Sequence, residues 1–334
     1  MATLREIANE LSLSVSTVSR VVNNKGYIKE STRERVMEAV SRRNYIPDNA
    51  ARSLKTGQTR TIGVIIPDVT EVFFTNVLGA VEKELSNAGY NMLLCISGED
   101  NGKEASYVNY FSHNHSDGII LATVSENSEP IQQALEGGTS IVFIDNLPNV
   151  GAAYDSVISD NIGASEAAAS YLHGLGHRRI AAIAGKQTET TGIDRLLGFK
   201  RALAKLAAPA DESLIRVGDF KEKSGYDAMR DLLEKAPGFT AVYAASAKMT
   251  YGAVKAITDL GMKIPDDVSV VGFDVHDPTG LVRPGITTVC QQEGSIGKIA
   301  CQLLLDGINS PKSHVCRKVL LQPELVVRGS CRNI

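Results

Sequence analysis

The feature that most constrains the fold is a repeated alternation, from Thr61 onward, of short apolar runs with segments long enough to form a helix. The runs span residues 62–67, 91–96, 118–122, 141–145, 179–184, 241–245 and 268–274. Strands that alternate with helices predict βαβ units and parallel sheets. Because the runs fall into two sets, we predict two doubly wound lobes, with ligands bound at the carboxyl ends of the strands.

The length of the chain, 334 residues, exceeds what one compact domain usually holds and predicts two or three domains. Its composition, 43% hydrophobic and 22% charged, is typical of a globular protein and not of a disordered tail. No apolar run reaches the roughly 18 residues that a membrane helix needs, and the first residues lack the apolar segment of a secretory signal. We therefore expect a cytoplasmic protein with no membrane partner.

The charge is distributed unevenly along the chain. Residues 1–60 carry 11 Lys or Arg against 6 Asp or Glu, whereas the remaining residues carry 24 against 32. A basic head on an acidic body indicates a small module that binds a polyanion, joined to a larger domain that does not.

The basic head has the pattern of three short helices. Thr3 and Glu6 have the spacing of a capping box at the start of the first helix. Ser14 can cap a second helix, whose polar side ends in Arg20, and a third helix is predicted at about 30–43. A tight turn between the first two helices predicts a helix-turn-helix, whose second helix enters the DNA major groove. By spacing alone, a small helical bundle with a solvated polar face fits as well.

The residues themselves distinguish these two interpretations. Thr3-Leu-Arg-Glu-Ile-Ala8 and Ser14-Val-Ser-Thr-Val-Ser-Arg-Val-Val-Asn23 closely resemble the headpiece of the lactose-repressor (LacI/GalR) family. The resemblance continues at Thr32–Val36, Asn44–Pro47 and Ala50–Leu54. It implies a sugar-responsive transcriptional regulator of the repressor type.

The resemblance also implies the organisation of the chain. A helix-turn-helix DNA-binding headpiece takes residues 1–46, a hinge helix and linker take 47–60, and an effector-binding and dimerisation core takes 61–334. In the core, lobe one is expected at about 61–161 and 290–320, and lobe two at about 162–289 and 321–334. The fold class is an N-terminal all-α headpiece plus a two-lobed α/β core with parallel sheets, like that of periplasmic binding proteins. The partners are double-stranded DNA with a pseudo-palindromic operator, a second copy of the chain and a small effector.

Carried over position by position, the resemblance assigns DNA contacts to the headpiece. Base contacts fall on Val15, Ser16, Thr17 and Arg20, and phosphate contacts fall on Thr3, Ser19 and Asn23. Phosphate contacts set the register, whereas base edges supply the sequence information. For Val15 the alternative is packing against the first helix. Two positions depart from the family pattern: Ser12 replaces a glycine of the turn, and Lys29 replaces a serine that caps the third helix.

The segment from Pro47 to Gly57 is too short for a helix that persists alone in water. In the family, this hinge helix pairs with its copy in the minor groove of the operator, where a leucine wedges into the central base step. The matching residue is Leu54, with Ala51 and Lys55 beside it. The alternative is a plain linker.

The remainder of the chain resembles the family's core in Asp160–Gly163, Leu175–Ile180, Asp194–Phe199 and Gln322–Arg328. Sugar sites need aromatic faces that stack on C–H surfaces and charged planar groups that bridge hydroxyls. The family's effector positions fall on Phe73, Phe74, Asp145, Thr191, Arg195, Phe220, Ser246, Asp274 and Gln291. Each residue has the alternative of core packing or a surface ion pair.

Two effector positions depart from the family pattern. Where the family commonly has Ser or Asn followed by Asp, this chain has Ser246-Ala247-Lys248, and Glu71-Val72 replaces Asn-Pro before the two phenylalanines. The loss of that Asp removes a hydrogen-bonding group from the expected cleft.

Other chemistry finds no support in the sequence. The five cysteines show no C-x-x-C spacing, and His113 and His115 have no third ligand nearby in sequence, so we expect reduced thiols, no metal and no cofactor. A P-loop, a strand-linked G-x-G-x-x-G, G-x-S-x-G and H-E-x-x-H are all absent from the sequence. We therefore predict a binding protein with no catalytic residues, in preference to a solute-binding transport receptor or an α/β enzyme.

Overall fold

The computed structural model describes residues 3–22, 26–45, 58–124, 128–277, 280–281 and 283–334. The chain divides into two compact units, residues 1–59 and 60–334. Among the helices of these ranges, none combines the length and the apolar character that crossing a membrane requires.

The first unit contains the three predicted helices, α1 (Leu4–Leu11), α2 (Val15–Val22) and α3 (Glu30–Arg42). The capping box forms as predicted: the Thr3 hydroxyl accepts from the Glu6 amide at 3.2 Å, and the Glu6 carboxylate accepts from the Thr3 amide at 2.9 Å. The apolar core of the unit consists of Ile7, Ala8, Val18, Val21, Val36 and Ala39.

The turn between α1 and α2 is made without glycine. Ser12 adopts the left-handed conformation, with φ of 55°, and its amide donates to the carbonyl of Ala8. Such a conformation costs a residue other than glycine about 1–2 kcal/mol. Ser14 then caps α2, since its hydroxyl accepts from the Thr17 amide at 3.1 Å. Lys29 gives α3 no side-chain cap.

The second unit alternates strands and helices, as the apolar runs predict. Its elements are β1 (Thr61–Ile66), α4 (Val72–Asn87), β2 (Asn91–Ile96), α5 (Asn101–Tyr110), β3 (Gly118–Leu121), α6 (Glu129–Glu136), β4 (Ile141–Ile144), β5 (Asp155–Ser159), α7 (Asn161–Gly174), β6 (Ile180–Ala184), α8 (Thr190–Lys205), β7 (Ile215–Val217), α9 (Glu222–Lys235), β8 (Ala241–Ala244), α10 (Ala247–Asp259), β9 (Ser269–Phe273), β10 (Thr287–Cys290), α11 (Glu293–Asn309), β11 (Lys318–Leu321) and β12 (Glu324–Val326). A π-helical turn follows α5, and a 3-10 turn precedes β7.

These strands form two six-stranded sheets. Sheet A has the order β11-β5-β4-β3-β1-β2, and sheet B has the order β12-β10-β9-β8-β6-β7. The strand pairs are parallel except for the antiparallel pair of β10 and β12. The chain therefore leaves sheet A after β5, returns to it after β10 and leaves it again after β11. We call sheet A with its helices lobe one, and sheet B with its helices lobe two.

The apolar runs predict seven of these strands and miss β5, β7, β10, β11 and β12. Three of the missed strands, β7, β11 and β12, lie at sheet edges, where one side of the strand stays accessible and polar residues are tolerated. The other two, β5 and β10, are interior strands that carry Ser and Thr side chains in buried positions.

Candidate functional site

The polar face of α2 stands at the surface of the first unit. Ser16 and Arg20 are exposed, Thr17 and Ser19 are half-buried, and 45% of Val15 is exposed. Val15 is thus not a core residue of this unit. The Ser14 hydroxyl lies 2.8 Å from the hydroxyls of both Ser16 and Thr17, which orders the first turn of the helix. An apolar side chain beside small hydroxyl groups and one cation forms a surface that can meet base edges.

Two arginines at the carboxyl end of α3, Arg42 in its last turn and Arg43 just after it, have a structural partner within the unit. Arg42 and Arg43 both bind the carboxylate of Glu10 on α1. The hydrogen bond from Arg43 is the main cause of the lowered pKa of Glu10. These arginines tie α1 to α3. Of the predicted DNA contacts, Asn23, Ala51, Leu54 and Lys55 lie outside the described residues.

The predicted effector residues meet in one cavity of the second unit, at the carboxyl ends of the strands of sheets A and B. About 630 Å³ of this space is not filled by protein atoms, part of it open to solvent. All nine predicted positions line it, and further lining residues include Asp68, Glu71, Glu99, Asn146 and Glu189.

Arg195 is fixed in the floor of the cavity. Its Nε donates to Asn161 Oδ1 at 2.7 Å, and its Nη1 donates to the Ala245 carbonyl at 2.8 Å. The guanidinium lies over the ring of Phe273, 3.7 Å from the ring centre, and only 5% of the residue is exposed. A planar cation held this firmly is preorganised to donate to a ligand.

Asp274 also lines the cavity and is held in place by Gln291. Its two carboxylate oxygens accept from the backbone amide of Gln291 at 2.9 Å and from the Gln291 side chain at 2.7 Å. Burial raises the pKa of Asp274, and the charge of Arg195 opposes that rise. Each carboxylate oxygen has a second lone pair, so the pair of Asp274 and Gln291 can still accept from and donate to a hydroxylated ligand.

Asp145 sits in a strained position at the end of β4, with φ of 63°. Burial raises the pKa of Asp145 to about 7; Arg195 opposes the rise, and Glu189, Asp274 and Glu71 add to it. Within the described residues, the Asp145 carboxylate accepts a long hydrogen bond, of 3.5 Å, from the side chain of Asn146. Compared with Asp274, Asp145 therefore has more acceptor capacity free to bind a ligand.

The three predicted aromatic faces differ in their placement. Phe73 and Phe74, 5% and 6% exposed, pack edge to face with ring centres 5.0 Å apart and belong mainly to the core of lobe one. Phe220 is half-buried, with φ of 67°, and its ring covers Gly185, where a Cβ atom would come within 2.0 Å of the ring. Of these three residues, Phe220 is the best placed to stack on a ligand.

Lys248 of lobe two contacts two cavity residues of lobe one, Asp68 and Glu71, and is not among the predicted site residues. Its Nζ lies 2.5 Å from Asp68 Oδ2, 2.8 Å from Thr70 Oγ1 and 3.6 Å from Glu71 Oε1. Burial raises the pKa of Glu71, and Lys248 opposes that rise. The sequence signal for this contact is that both Glu71 and Lys248 depart from the family pattern. The two departures form an oppositely charged pair between the lobes.

Further polar contacts join the two lobes. Lys186 of lobe two binds Glu99 of lobe one at 2.7 Å. Asn146 of lobe one donates to Glu189 at 3.0 Å and accepts from the Thr191 amide at 3.0 Å. Thr191 thus contributes a backbone contact between the lobes. Ser246 caps α10, with its hydroxyl accepting from the Met249 amide at 3.3 Å.

Comparison with known proteins places both units in one family. Residues 3–48 match the model described as bacterial regulatory proteins, lacI family, and residues 169–331 match the model of a periplasmic binding protein-like domain. Two curated relatives are each named HTH-type transcriptional repressor PurR. The one from Vibrio atlanticus (strain LGP32) is 32% identical over 336 residues, covering 100% of both chains. The one from Glaesserella parasuis serovar 5 (strain SH0165) is 34% identical over 343 residues, covering 100% of this chain and 99% of the relative.

Solved structures agree with this assignment. A complex of the transcriptional regulator CelR with cellobiose has 31% sequence identity and a TM-score of 0.75, covering 99% of this chain and 100% of that one. The lac repressor dimer bound to operator and the anti-inducer ONPF has 25% identity and a TM-score of 0.86, covering 99% of both chains. With a helix-turn-helix unit, a two-sheet core and full-length relatives above 30% identity, this chain belongs to the lacI family of bacterial regulatory proteins and is a DNA-binding transcriptional regulator, not an enzyme.

Proposed function

We propose that this chain is a repressor that binds a pseudo-palindromic operator as a homodimer, and that a small carbohydrate in the cavity between its lobes controls operator affinity. The observation that carries the proposal is the convergence on one cavity of nine residues spread from Phe73 to Gln291. A ligand that contacts fixed donors and acceptors of both lobes at once can favour one arrangement of the core over another.

The DNA-binding part of the proposal uses the exposed face of α2. Val15, Ser16, Thr17 and Arg20 are assigned to base contacts, and Thr3, Ser19 and Asn23 to phosphates. The hinge helix at 47–60, between the headpiece at 1–46 and the core at 61–334, is assigned to the minor groove, with Leu54 as its wedge beside Ala51 and Lys55. Two copies of the headpiece read two half-sites, since a symmetric dimer requires a symmetric operator.

The carbohydrate part uses the chemistry of the cavity. Arg195, Asp274, Asp145 and Gln291 offer a donor, two carboxylates and an amide around one space, and Phe220 offers an aromatic face. Charged planar groups with aromatic faces suit a ligand with many hydroxyl groups. Two similar regulators were solved with sugars: the CelR–cellobiose complex, and a family member from Enterococcus faecium with bound ribose at 26% identity and a TM-score of 0.73.

A thermal-shift screen tests the effector class. The full-length protein is heated with neutral mono- and disaccharides, with sugar phosphates, and with nucleobases and nucleosides as the contrasting class. A ligand that binds the folded cavity raises the melting temperature by mass action. We expect a saturable rise with a sugar or sugar derivative that Asp274→Ala abolishes. A rise with nucleobases alone would overturn the carbohydrate part and leave the DNA-binding part standing.

A selection experiment tests the DNA part. The protein is incubated with a library of random duplexes, and bound sequences are recovered at two salt concentrations. We expect enrichment of a pseudo-palindrome, because only base contacts and DNA shape select sequence, whereas phosphate contacts bind all DNA and weaken steeply with salt. Recovery of unselected sequences would contradict the operator proposal.

A further inference from the structure

Three side chains with three different ligand atoms meet at the amino-terminal ends of β5 and β11, whereas the effector cavity lies at the carboxyl ends of the strands. Asp155 is the first residue of β5, and His314 and Cys316 lie on the segment that joins α11 to β11. One ligand atom from each, a carboxylate oxygen, an imidazole nitrogen and the thiol sulfur, lies within 4.8 Å of the other two. The pairing of β5 with β11 brings these distant parts of the sequence together.

The fold already orients two of the three groups. Asp155 Oδ1 accepts from the backbone amide of Arg317 at 2.8 Å, and Asp155 Oδ2 lies 2.6 Å from His314 Nε2. The side chains of Asp155 and His314 are 8% and 12% exposed, so both are held in protein surroundings. Cys316 is exposed and completes the group from the surface.

The same three residues line a second cavity. About 730 Å³ of space there is not filled by protein atoms, and its other walls include Leu303, Leu304 and Gly307 of α11. A hydrogen bond between Asp155 and His314 needs no such space. Room beside a carboxylate, an imidazole and a thiol is what a metal ion with a bound water requires.

We propose that Asp155, His314 and Cys316 bind one Zn²⁺ ion, with water as the fourth ligand. Oxygen, nitrogen and sulfur from three side chains form a typical donor set for zinc, whereas Mg²⁺ and Ca²⁺ take oxygen ligands almost alone. On binding, the thiol proton of Cys316 leaves to solvent and its sulfur ligates as thiolate. The hydrogen that His314 Nε2 donates to Asp155 is lost to solvent while Nδ1 takes one up from solvent, so the neutral ring carries its hydrogen on Nδ1 and the Nε2 lone pair binds the metal. The ion then ties the α11–β11 segment to β5.

Metal binding by the full-length protein tests this site. Zn²⁺ is titrated in competition with a chromophoric chelator, and Co²⁺ is used as a spectroscopic substitute. We expect one Zn²⁺ per chain, a thiolate-to-cobalt charge-transfer band, and a higher melting temperature with Zn²⁺ than without. Cys316→Ser and His314→Gln should each weaken Zn²⁺ binding at least tenfold, and Cys316→Ser should also remove the charge-transfer band.

Cys95→Ser is the matched control, because Cys95 is a partly buried thiol of β2 in the same sheet. It should leave affinity, band and thermal shift as in the unchanged protein. The site is overturned if Zn²⁺ binds Cys316→Ser and the unchanged protein equally, or if the cobalt band survives in Cys316→Ser. Circular dichroism and thermal unfolding of each variant without metal confirm that the protein is folded.

Discussion

The surface of α2 and the cavity between the lobes are built in opposite ways. The first comes from one stretch of eight residues, Val15–Val22, whose helical period alone separates a buried face from an exposed one. The second assembles residues from Pro67 to Gln291 through two sheets and two crossings of the chain. A local site is set by secondary structure, whereas a converging site is set by topology, so substitutions are expected to act differently in the two.

The largest effect is expected in the cavity. Asp274→Ala removes both acceptors of Gln291 and a ligand contact, each hydrogen bond to a charged group being worth about 1.5–3 kcal/mol. Effector affinity, measured by calorimetry, should fall about tenfold to more than a hundredfold. Asp266→Ala is the control, because Asp266 is exposed in the loop before β9. Equal affinities for the two variants would remove Asp274 from the site.

Arg195→Ala tests the cavity through the stability of the protein as well as through effector affinity. The substitution leaves Asn161 Oδ1 and the Ala245 carbonyl without their donor and uncovers the ring of Phe273. We expect a loss of about 1–3 kcal/mol in the free energy of unfolding in addition to the loss of effector affinity. Arg201→Ala, at an exposed position of the same helix α8, should change neither quantity by more than about 0.5 kcal/mol.

How far each site could be predicted follows from the way it is built. The capping box of Thr3 and Glu6 and the helices of the headpiece follow from spacing, because their contacts lie within one turn. The cavity residues could be predicted only from the resemblance to the family, since no local sequence pattern connects Phe73 with Gln291. For Lys248, the sequence offered only a departure from the family pattern and no prediction of its contacts.

Some features could be predicted neither from residue spacing nor from the family resemblance. The cluster of Asp155, His314 and Cys316 depends on the pairing of β5 with β11, and both strands were missed because they lack a long apolar run. The burial of Phe73 and Phe74 in the core of lobe one is likewise a result of packing.

The next largest effect is expected on α2. Arg20→Ala should weaken operator binding about tenfold while changing binding to unrelated DNA much less, because a base contact contributes about 1–3 kcal/mol of discrimination. Arg33→Ala on α3, where Arg33 lies near Glu30, is the control. Fluorescence anisotropy with operator and scrambled duplexes measures both. A uniform loss across all sequences would make Arg20 a phosphate contact.

A pH-dependent effect is expected at Asp145. Its folded pKa of about 7 lies above the ordinary value of 3.8, so its contribution to stability is fully present below about pH 4 and is lost as the pH rises through 7. Asp145→Asn removes this titration. The stability of the variant relative to the unchanged protein, measured by urea unfolding, should therefore rise between pH 4 and pH 8. Parallel pH profiles would contradict the raised pKa.

The smallest effect is expected at Lys248. Lys248→Met breaks the contacts with Asp68 and Glu71, but partly exposed ion pairs contribute at most about 1 kcal/mol. We expect a change of up to about fivefold in effector affinity, larger at low salt than at high salt. Lys255→Met on the same helix, whose partner Asp259 lies outside the cavity, is the control. A salt-independent change would show that Lys248 acts through packing.

The central claim is that the cavity controls the headpiece, and an operator titration with and without the effector tests it most directly. The dissociation constant of the selected operator is measured at increasing concentrations of the sugar found in the thermal screen, in the unchanged protein and in Asp274→Ala. Coupling between two sites typically amounts to 1–3 kcal/mol, so the constant should shift about five- to 150-fold in the unchanged protein and stay fixed in the variant. An operator affinity that saturating sugar leaves unchanged, in a protein that demonstrably binds that sugar, would contradict the account.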